Sequence, residues 1–347
     1  MKLFVMGDLH FSNLRDWDLE SFENFLKWLD SYDFGDPEQC ELLQLGDATE
    51  RALNDGKPID LLTRFAAIVS KKFRKVYILG GNHCHKLDDY GVSQYSTQYL
   101  TSLDSEKFVT IYDEKVFTTV GAMTVMALPF KYTFSSLETY YNEQLPTGYY
   151  DTEVDLICGH VGIFDEDHPY IDGLKLDKFK FKNAVFGHIH QRVGKHKKLY
   201  TGSVMPFRRS EEQTELQRCI KVYDERTGQE LPEIPIPIFR TYQVVDYRNA
   251  ADELKFHKNS EDGIVHVYEF KNVKKDKQVV KDQYKDFYIK FLMRNDVLGD
   301  EQDDSKENRK SLVFNSHWEA FQQMVKDEGL SIKRKTFAIL RDVLNRE

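Results

Sequence analysis

Five short polar signatures, each directly after an apolar run, constrain this chain more than any other feature. They are Asp8-Leu9-His10, Gly46-Asp47, Gly81-Asn82-His83, Gly159-His160 and Gly187-His188-Ile189-His190. The runs before them are Leu3–Met6, Leu42–Leu45, Val76–Leu79, Leu156–Cys158 and Ala184–Phe186. Short, continuously apolar runs suit buried strands. Helical spacing falls between them at Leu19–Leu29, Ile59–Lys71 and Ser135–Glu143. Strands alternating with helices predict an α/β sheet with helices on both faces. In such sheets function collects at the carboxyl ends of the strands. All five signatures sit there, along one edge of one inferred sheet.

A lone Gly-Asp is usually a turn, and a lone His is usually a satisfied polar residue. Five blocks in order, each after a strand, are a different matter. A pair of divalent metals needs oxygen and imidazole ligands that converge from strand ends. Asp-x-His aims both side chains to one side, because strand side chains alternate with period two. His188 and His190 share that spacing. Asp47 is a natural bridging carboxylate. The glycines let the backbone turn tightly beneath the metals.

The order DxH, GD, GNH, GH, GHxH resembles that of calcineurin-like metallophosphoesterases, over roughly residues 1–210. The resemblance implies a β-sandwich flanked by helices. It implies one metal held by Asp8, His10, Asp47 and His190, and a second held by Asp47, Asn82, His160 and His188. It further implies that His83 contacts the scissile phosphate and protonates or stabilises the leaving oxygen. Two metals about 4 Å apart activate water and clamp phosphate oxygens for in-line attack, and an imidazole supplies the proton. Mixed His/Asp/Asn ligation suits Mn²⁺, Fe or Zn²⁺, and Mn²⁺ is the expected pair. The pattern departs from the family at Cys84, where many members carry an acid that orients the histidine. Asp88, Asp89 or a backbone carbonyl would have to hold His83 instead. Cys84 as a nucleophile and His85 as a ligand are the lesser readings.

The residues after the last histidine pair narrow the substrate. Gly202-Ser203-Val204-Met205-Pro206-Phe207-Arg208-Arg209-Ser210-Glu211 leads into a strand at Cys219–Tyr223, then Ile234-Pro235-Ile236-Pro237 and a strand at Tyr242–Tyr247. This resembles the catalytic subunit of SbcD-type repair and recombination nucleases, cellular or phage. In that family a second domain flanks the DNA cleft, and C-terminal helices bind the coiled coil of an SbcC-type ATPase.

Net charge is −9, which by itself does not advertise a nucleic-acid binder. Between Ile171 and Arg209, however, ten Lys/Arg stand against two acids. Such a run is often only a solvated face. With the resemblance, Lys180, Lys182, Arg192, Lys195, Lys197, Lys198, Arg208 and Arg209 become candidate contacts to the DNA backbone, which position a duplex without reading its sequence.

The predicted organisation is a two-metal phosphoesterase domain over 1–248, a small α/β capping domain over 249–298, an acidic linker over 299–310 and a helical, partner-binding segment over 311–347. The capping domain reads as strand Ile264–Phe270, helix Val273–Asp286 and strand Phe287–Met293. In the tail, Trp318, Phe321 and Val325, and then Phe337, Leu340 and Leu344, form apolar stripes at helical spacing. Such stripes pack on the parent chain or dock into a partner's groove. The resemblance also points to a homodimer through Asp88–Leu103.

No apolar run approaches the roughly 18 residues of a membrane span. The four cysteines show no CxxC spacing, which argues for a reducing cytoplasm. The expected function is a Mn-dependent DNA exonuclease/endonuclease subunit of an SbcCD-like complex. The alternatives are a phosphatase or nucleotide phosphodiesterase of the same superfamily, for which Gly46-Asp47-Ala48-Thr49-Glu50-Arg51 resembles a phosphatase segment, and a non-catalytic DNA-end scaffold.

Overall fold

The computed structural model describes residues 1–12, 15–50, 56–87, 93–95, 97, 100–101, 104–111, 117–130, 141–142, 145–164, 173–192, 197–207, 218–255 and 263–292. The strands are β1 (Lys2–Met6), β2 (Cys40–Gln44), β3 (Lys75–Leu79), β4 (His85–Leu87), β5 (Ser93–Tyr95), β6 (Phe108–Ile111), β7 (Phe117–Val120), β8 (Met123–Leu128), β9 (Glu153–Gly159), β10 (Lys180–Phe186), β11 (Cys219–Asp224), β12 (Glu230–Pro235), β13 (Arg240–Asp246), β14 (Val265–Lys271) and β15 (Tyr288–Phe291). The two long helices are α1 (Asp16–Ser31) and α2 (Gly56–Lys72).

Two sheets lie face to face. The first has the order β12-β11-β1-β2-β3-β6 and the second β10-β9-β8-β7. Alternation along each strand explains why. Leu3 and Val5 of β1, Leu43 of β2, and Tyr77 and Leu79 of β3 meet Val125 and Ala127 of β8, Leu156 and Cys158 of β9, and Val185 of β10 in one buried cluster. The intervening residues Phe4, Met6, Leu42, Val76 and Ile78 point the other way, onto the two helices. There Phe22, Phe25, Leu26 and Leu29 form the i, i+3, i+4, i+7 stripe of α1, beside Leu61, Leu62, Phe65 and Val69 of α2. Burying each such side chain stabilises the fold by roughly 1.5–3 kcal/mol. The mixed α/β sandwich expected for the fold is therefore present. One expectation is corrected: the five signatures do not line one sheet. Three follow β1, β2 and β3, and two follow β9 and β10 of the facing sheet. The site lies where the two sheets' strand ends converge.

A third, three-stranded parallel sheet has the order β13-β14-β15. It takes in β13 and so begins at Arg240, before residue 249. One face packs Tyr242, Val265 and Val267 against Trp17 of α1. Tyr288 Oη donates to Glu20 Oε2 of the same helix (2.6 Å). The helix expected at Val273–Asp286 is shorter, Lys277–Gln283, because the Asp276 side chain accepts from Gln278 N and Val279 N and starts it there. The proline-bearing run after β11 forms β12, an edge strand of the first sheet, where a missing N–H costs no ladder bond.

The chain divides into two compact units, Met1–Phe291 and Leu292–Glu347. The acidic linker, the two C-terminal helices and most of the predicted helix Ser135–Glu143 lie outside the described residues, as do Asp88, Asp89 and most of Asp88–Leu103. Among the described residues no helix is long and apolar enough to cross a membrane.

Candidate metal centre

Asp8 and His10 follow β1, Asp47 follows β2, Asn82 and His83 follow β3, His160 follows β9, and His188 and His190 follow β10. The turns that carry them are strained. Of the four described non-glycine residues with positive φ, three are His10 (50°), Asp47 (47°) and His188 (70°). Non-glycine residues avoid this region, and strain held in place by its surroundings gathers at functional sites. Gly46, also at positive φ (99°), lets the β2 turn pass under His160, whose ring a Cβ there would strike. A Cβ on Gly81 would strike Asp47.

Each acidic ligand has one oxygen fixed by a backbone N–H. His188 N donates to Asp8 Oδ1 (3.1 Å) and His83 N donates to Asp47 Oδ1 (2.8 Å). Asp8 Oδ2 is buried without a hydrogen-bond partner. Asp47 Oδ2 lies 3.1 Å from His160 Nε2 and 3.6 Å from His10 Nε2. It therefore faces both halves of the site, as a bridging carboxylate must.

His160 shows how the imidazoles are aimed. Its Nδ1 donates to the Leu45 carbonyl (2.8 Å), and this turns Nε2 towards the cluster. Around Nε2 stand Asn82 Oδ1 (2.9 Å), Asp47 Oδ2 (3.1 Å) and His188 Nδ1 (3.4 Å). A backbone carbonyl behind a ring whose other nitrogen faces carboxylates is how metal-ligating histidines are commonly oriented. On the other side His10 Nε2 and His190 Nε2 face each other at 2.9 Å. Two imidazole nitrogens this close need a cation or a proton between them. Asp8, His10 and His190 form one group with ligand atoms all within 4.8 Å, and Asp8, Asp47 and His160 form another.

The electrostatics agree. Burial favours the neutral form of His160, but Asp47 and Asp8 outweigh it and push its pKa well up. Burial works to raise Asp8 and Asp47, yet the surrounding histidines hold both below the usual carboxylate range. Burial, and then the charge of His160, pushes His188 down to about 4. The two buried carboxylates need positive charge beside them, which a protonated His160 supplies and bound cations would supply in its place. The orphaned Asp8 oxygen, the facing imidazoles and the bridging Asp47 all fit a pair of divalent ions.

Sequence reasoning missed Glu50 as a site residue. Its carboxylate Oε2 lies 2.7 Å from His10 Nδ1, and Oε1 lies 3.7 Å from His83 Nδ1. His83 Nδ1 donates to the Glu50 backbone carbonyl (3.1 Å). Among the described residues, then, a backbone carbonyl holds His83, one of the substitutes expected for the missing acid. The signal was present in the spacing: Glu50 stands three residues after Asp47. Cys84 does something else. It is buried, its Sγ donates to the Gly81 carbonyl (3.4 Å) and accepts from Gly81 N (3.3 Å). Burial pushes its thiol up to about 12, which removes it as a nucleophile.

The expected DNA contacts are dispersed. Lys180 and Lys182 sit at the start of β10, the strand end away from His188 and His190. They pair with Asp151 (3.6 Å) and Asp155 (2.6 Å). Arg192 makes two bonds to Glu233 (2.8 and 3.1 Å). Lys197 and Lys198 are exposed in a short 3₁₀ turn. Lys195, Arg208 and Arg209 lie outside the described residues.

A sandwich of two sheets with this histidine-rich cluster at its strand ends defines a metal-dependent phosphoester hydrolase. The profile of the calcineurin-like phosphoesterases matches residues 1–192, and the chain belongs to that family. No curated protein matches the chain in sequence. Among solved structures, one described as a protein of unknown function, AQ665 from Aquifex aeolicus, is 17% identical to it. That match covers 52% of this chain and 89% of the other, with a TM-score of 0.26, too low to inform the fold or the site.

Proposed function

We propose that the chain is the nuclease subunit of an SbcCD-like DNA end-processing complex, hydrolysing phosphodiesters with Mn²⁺ and little sequence specificity. When bound, the two ions supply a water activated for attack and charge stabilisation at phosphorus. Asp8, His10, Asp47 and His190 would hold one, and Asp47, Asn82, His160 and His188 the other. His83, held from Nδ1 by the Glu50 carbonyl, turns its other nitrogen to the phosphoester and gives a proton to the leaving oxygen. In this reading Lys197, Lys198, Lys195, Arg208 and Arg209 meet the DNA backbone. The tail beyond 310 docks on an SbcC-type ATPase, and Asp88–Leu103 pairs two copies in the cytoplasm.

The observation that carries this reading is the small parallel sheet from Arg240 to Phe291. A minimal phosphatase has no use for such an addition. Here it is tied to Phe207 beside the metal centre by the Tyr242 hydroxyl (3.0 Å). Glu50 favours a second reading, a phosphatase or nucleotide phosphodiesterase, since the segment Gly46-Asp47-Ala48-Thr49-Glu50-Arg51 that carries it resembles a phosphatase segment. Single-turnover incubation of linear duplex DNA with Mn²⁺, beside p-nitrophenyl phosphate and dinucleoside polyphosphates, separates them. DNA cleavage is expected. Hydrolysis of the small esters with DNA left intact would give the second reading. DNA binding with no hydrolysis of any substrate would give the scaffold.

A further inference from the structure

We infer that Arg240, the first residue of the small sheet, is a positioning residue for one of the two metal sites, acting through the strap Gly202–Phe207. The inference rests on the two-metal reading of the site and not on DNA as the substrate.

The strap runs beneath Asp8, His10 and His190, of which Asp8 also belongs to the group with Asp47 and His160. Val204 N donates to the Asp8 carbonyl (3.0 Å) and Ser203 N donates to the His190 carbonyl (3.2 Å). The Phe207 ring meets His10 edge-to-face at 4.9 Å and His190 at 5.4 Å between centroids. Asp8, His10 and His190 are the three members of one candidate metal group. His160, which joins Asp8 and Asp47 in a different group, is oriented by the Leu45 carbonyl.

The far side of the strap is held by β13 and by the residue before α1. Arg240 Nη1 donates to the Pro206 carbonyl (3.5 Å), and its guanidinium lies 6.0 Å from the Phe207 ring centroid. The Phe207 carbonyl accepts from Tyr242 Oη (3.0 Å) and from Arg15 Nη1 (3.1 Å). A second route reaches His10 from below. Arg240 Nη2 pairs with Asp18 at 3.0 Å. Asp18 Oδ2 accepts from Ser12 Oγ (2.7 Å), and Ser12 stands two residues after His10.

Arg240 is fully buried, as is its partner Asp18. An ion pair of this kind is costly to bury and replaceable by apolar residues as far as stability goes. Its geometry gives it another use. It closes a ring from β13 through the strap to the His10 and His190 imidazoles, and through Asp18 and Ser12 back to His10. Groups that orient metal ligands from behind typically carry about 10–100-fold in metal affinity. The small sheet therefore sets the grip of the Asp8–His10–His190 ion.

Stepwise Mn²⁺ titration of the full-length protein by calorimetry, with folding checked by circular dichroism, tests this. The wild type is expected to take up two ions. Phe207→Leu, Tyr242→Phe and Arg240→Met are expected to raise one Kd about tenfold and to leave the other within about twofold. Arg240→Lys keeps the charge but not the two-armed geometry, and is expected to fall between Arg240→Met and the wild type. Should Arg240→Met not fold, the Phe207 and Tyr242 variants carry the test. Folded variants that bind both ions as the wild type does, or that lose both equally, would overturn the proposal. Fewer than two ions in the wild type would overturn the two-metal reading, and this proposal with it.

Discussion

Glu50 Oε2 lies 2.7 Å from His10 Nδ1, while the backbone carbonyl of the same glutamate accepts from His83 Nδ1 at 3.1 Å. One residue thus reaches the His10 imidazole with its side chain and the His83 imidazole with its main chain. The two functions can be separated by mutation, because a substitution changes the carboxylate and keeps the carbonyl.

Glu50→Gln should weaken metal binding about 10-fold or more through His10, with His83 still held by the carbonyl. At saturating Mn²⁺ much of the activity should return. Calorimetric Mn²⁺ titration and rates over a range of Mn²⁺ concentrations check this. A rate that stays low at saturation would place the Glu50 carboxylate in the proton-transfer step instead.

His83→Ala should lower hydrolysis by about 10²–10⁴-fold, the usual worth of a positioned general acid. Metal binding should be unchanged, since the ligand groups around Asp8 and Asp47 do not need its ring. Rates of phosphodiester hydrolysis beside Mn²⁺ titration give the answer. Unchanged rates would remove His83 from the mechanism.

Cys84→Ala should keep the hydrolysis rate within about threefold while costing on the order of 1 kcal/mol of stability, for the two weak bonds to Gly81 and the small void left. Iodoacetamide applied to the folded protein at pH 8 should leave Cys84 unmodified, because the thiol is buried and burial pushes it up to about 12. Rapid alkylation with loss of activity, followed by mass spectrometry, would contradict the structural role.

Glu225 supplies a pH test away from the centre. It is 2% exposed. Burial, and then the charge of Glu41, raises its pKa above the ordinary glutamate value. A raised carboxyl favours the protonated fold, so its contribution is fully present below the ordinary value and is lost as pH rises through the folded one. Glu225→Gln should therefore be more stable than the wild type at pH 7, by on the order of 1 kcal/mol, and equal to it below about pH 4. Thermal melts across that range measure it. A variant less stable at pH 7 would show that the charge is well compensated.

The candidate ligands could be picked out in the sequence because each sits at a strand end, where an apolar run stops and a glycine turn begins. That is a local pattern, and Asp8, Asp47, His160 and His188 all show it. The division of the strands between two sheets was not legible. Buried strands of either sheet are the same short apolar runs, and pairing is a long-range choice. The hairpin that brings in β8 did leave a mark, a Gly121-Ala122 turn between β-rich runs. Glu50 went unread as a site residue because its importance comes from a contact across the turn. The pairing of the basic stretch was not legible either. Along the chain Lys182 and Arg192 have few acids near them, but folding brings Asp155 and Glu233 from neighbouring strands.

The two-metal centre is tested most directly by soaking crystals in Mn²⁺ and collecting anomalous data at the manganese edge. Two peaks roughly 3.5–4 Å apart are expected, one against Asp8, His10 and His190, the other against Asn82, His160 and His188, with Asp47 between them. A single peak, or peaks away from these side chains, would contradict the centre on which the proposed chemistry rests.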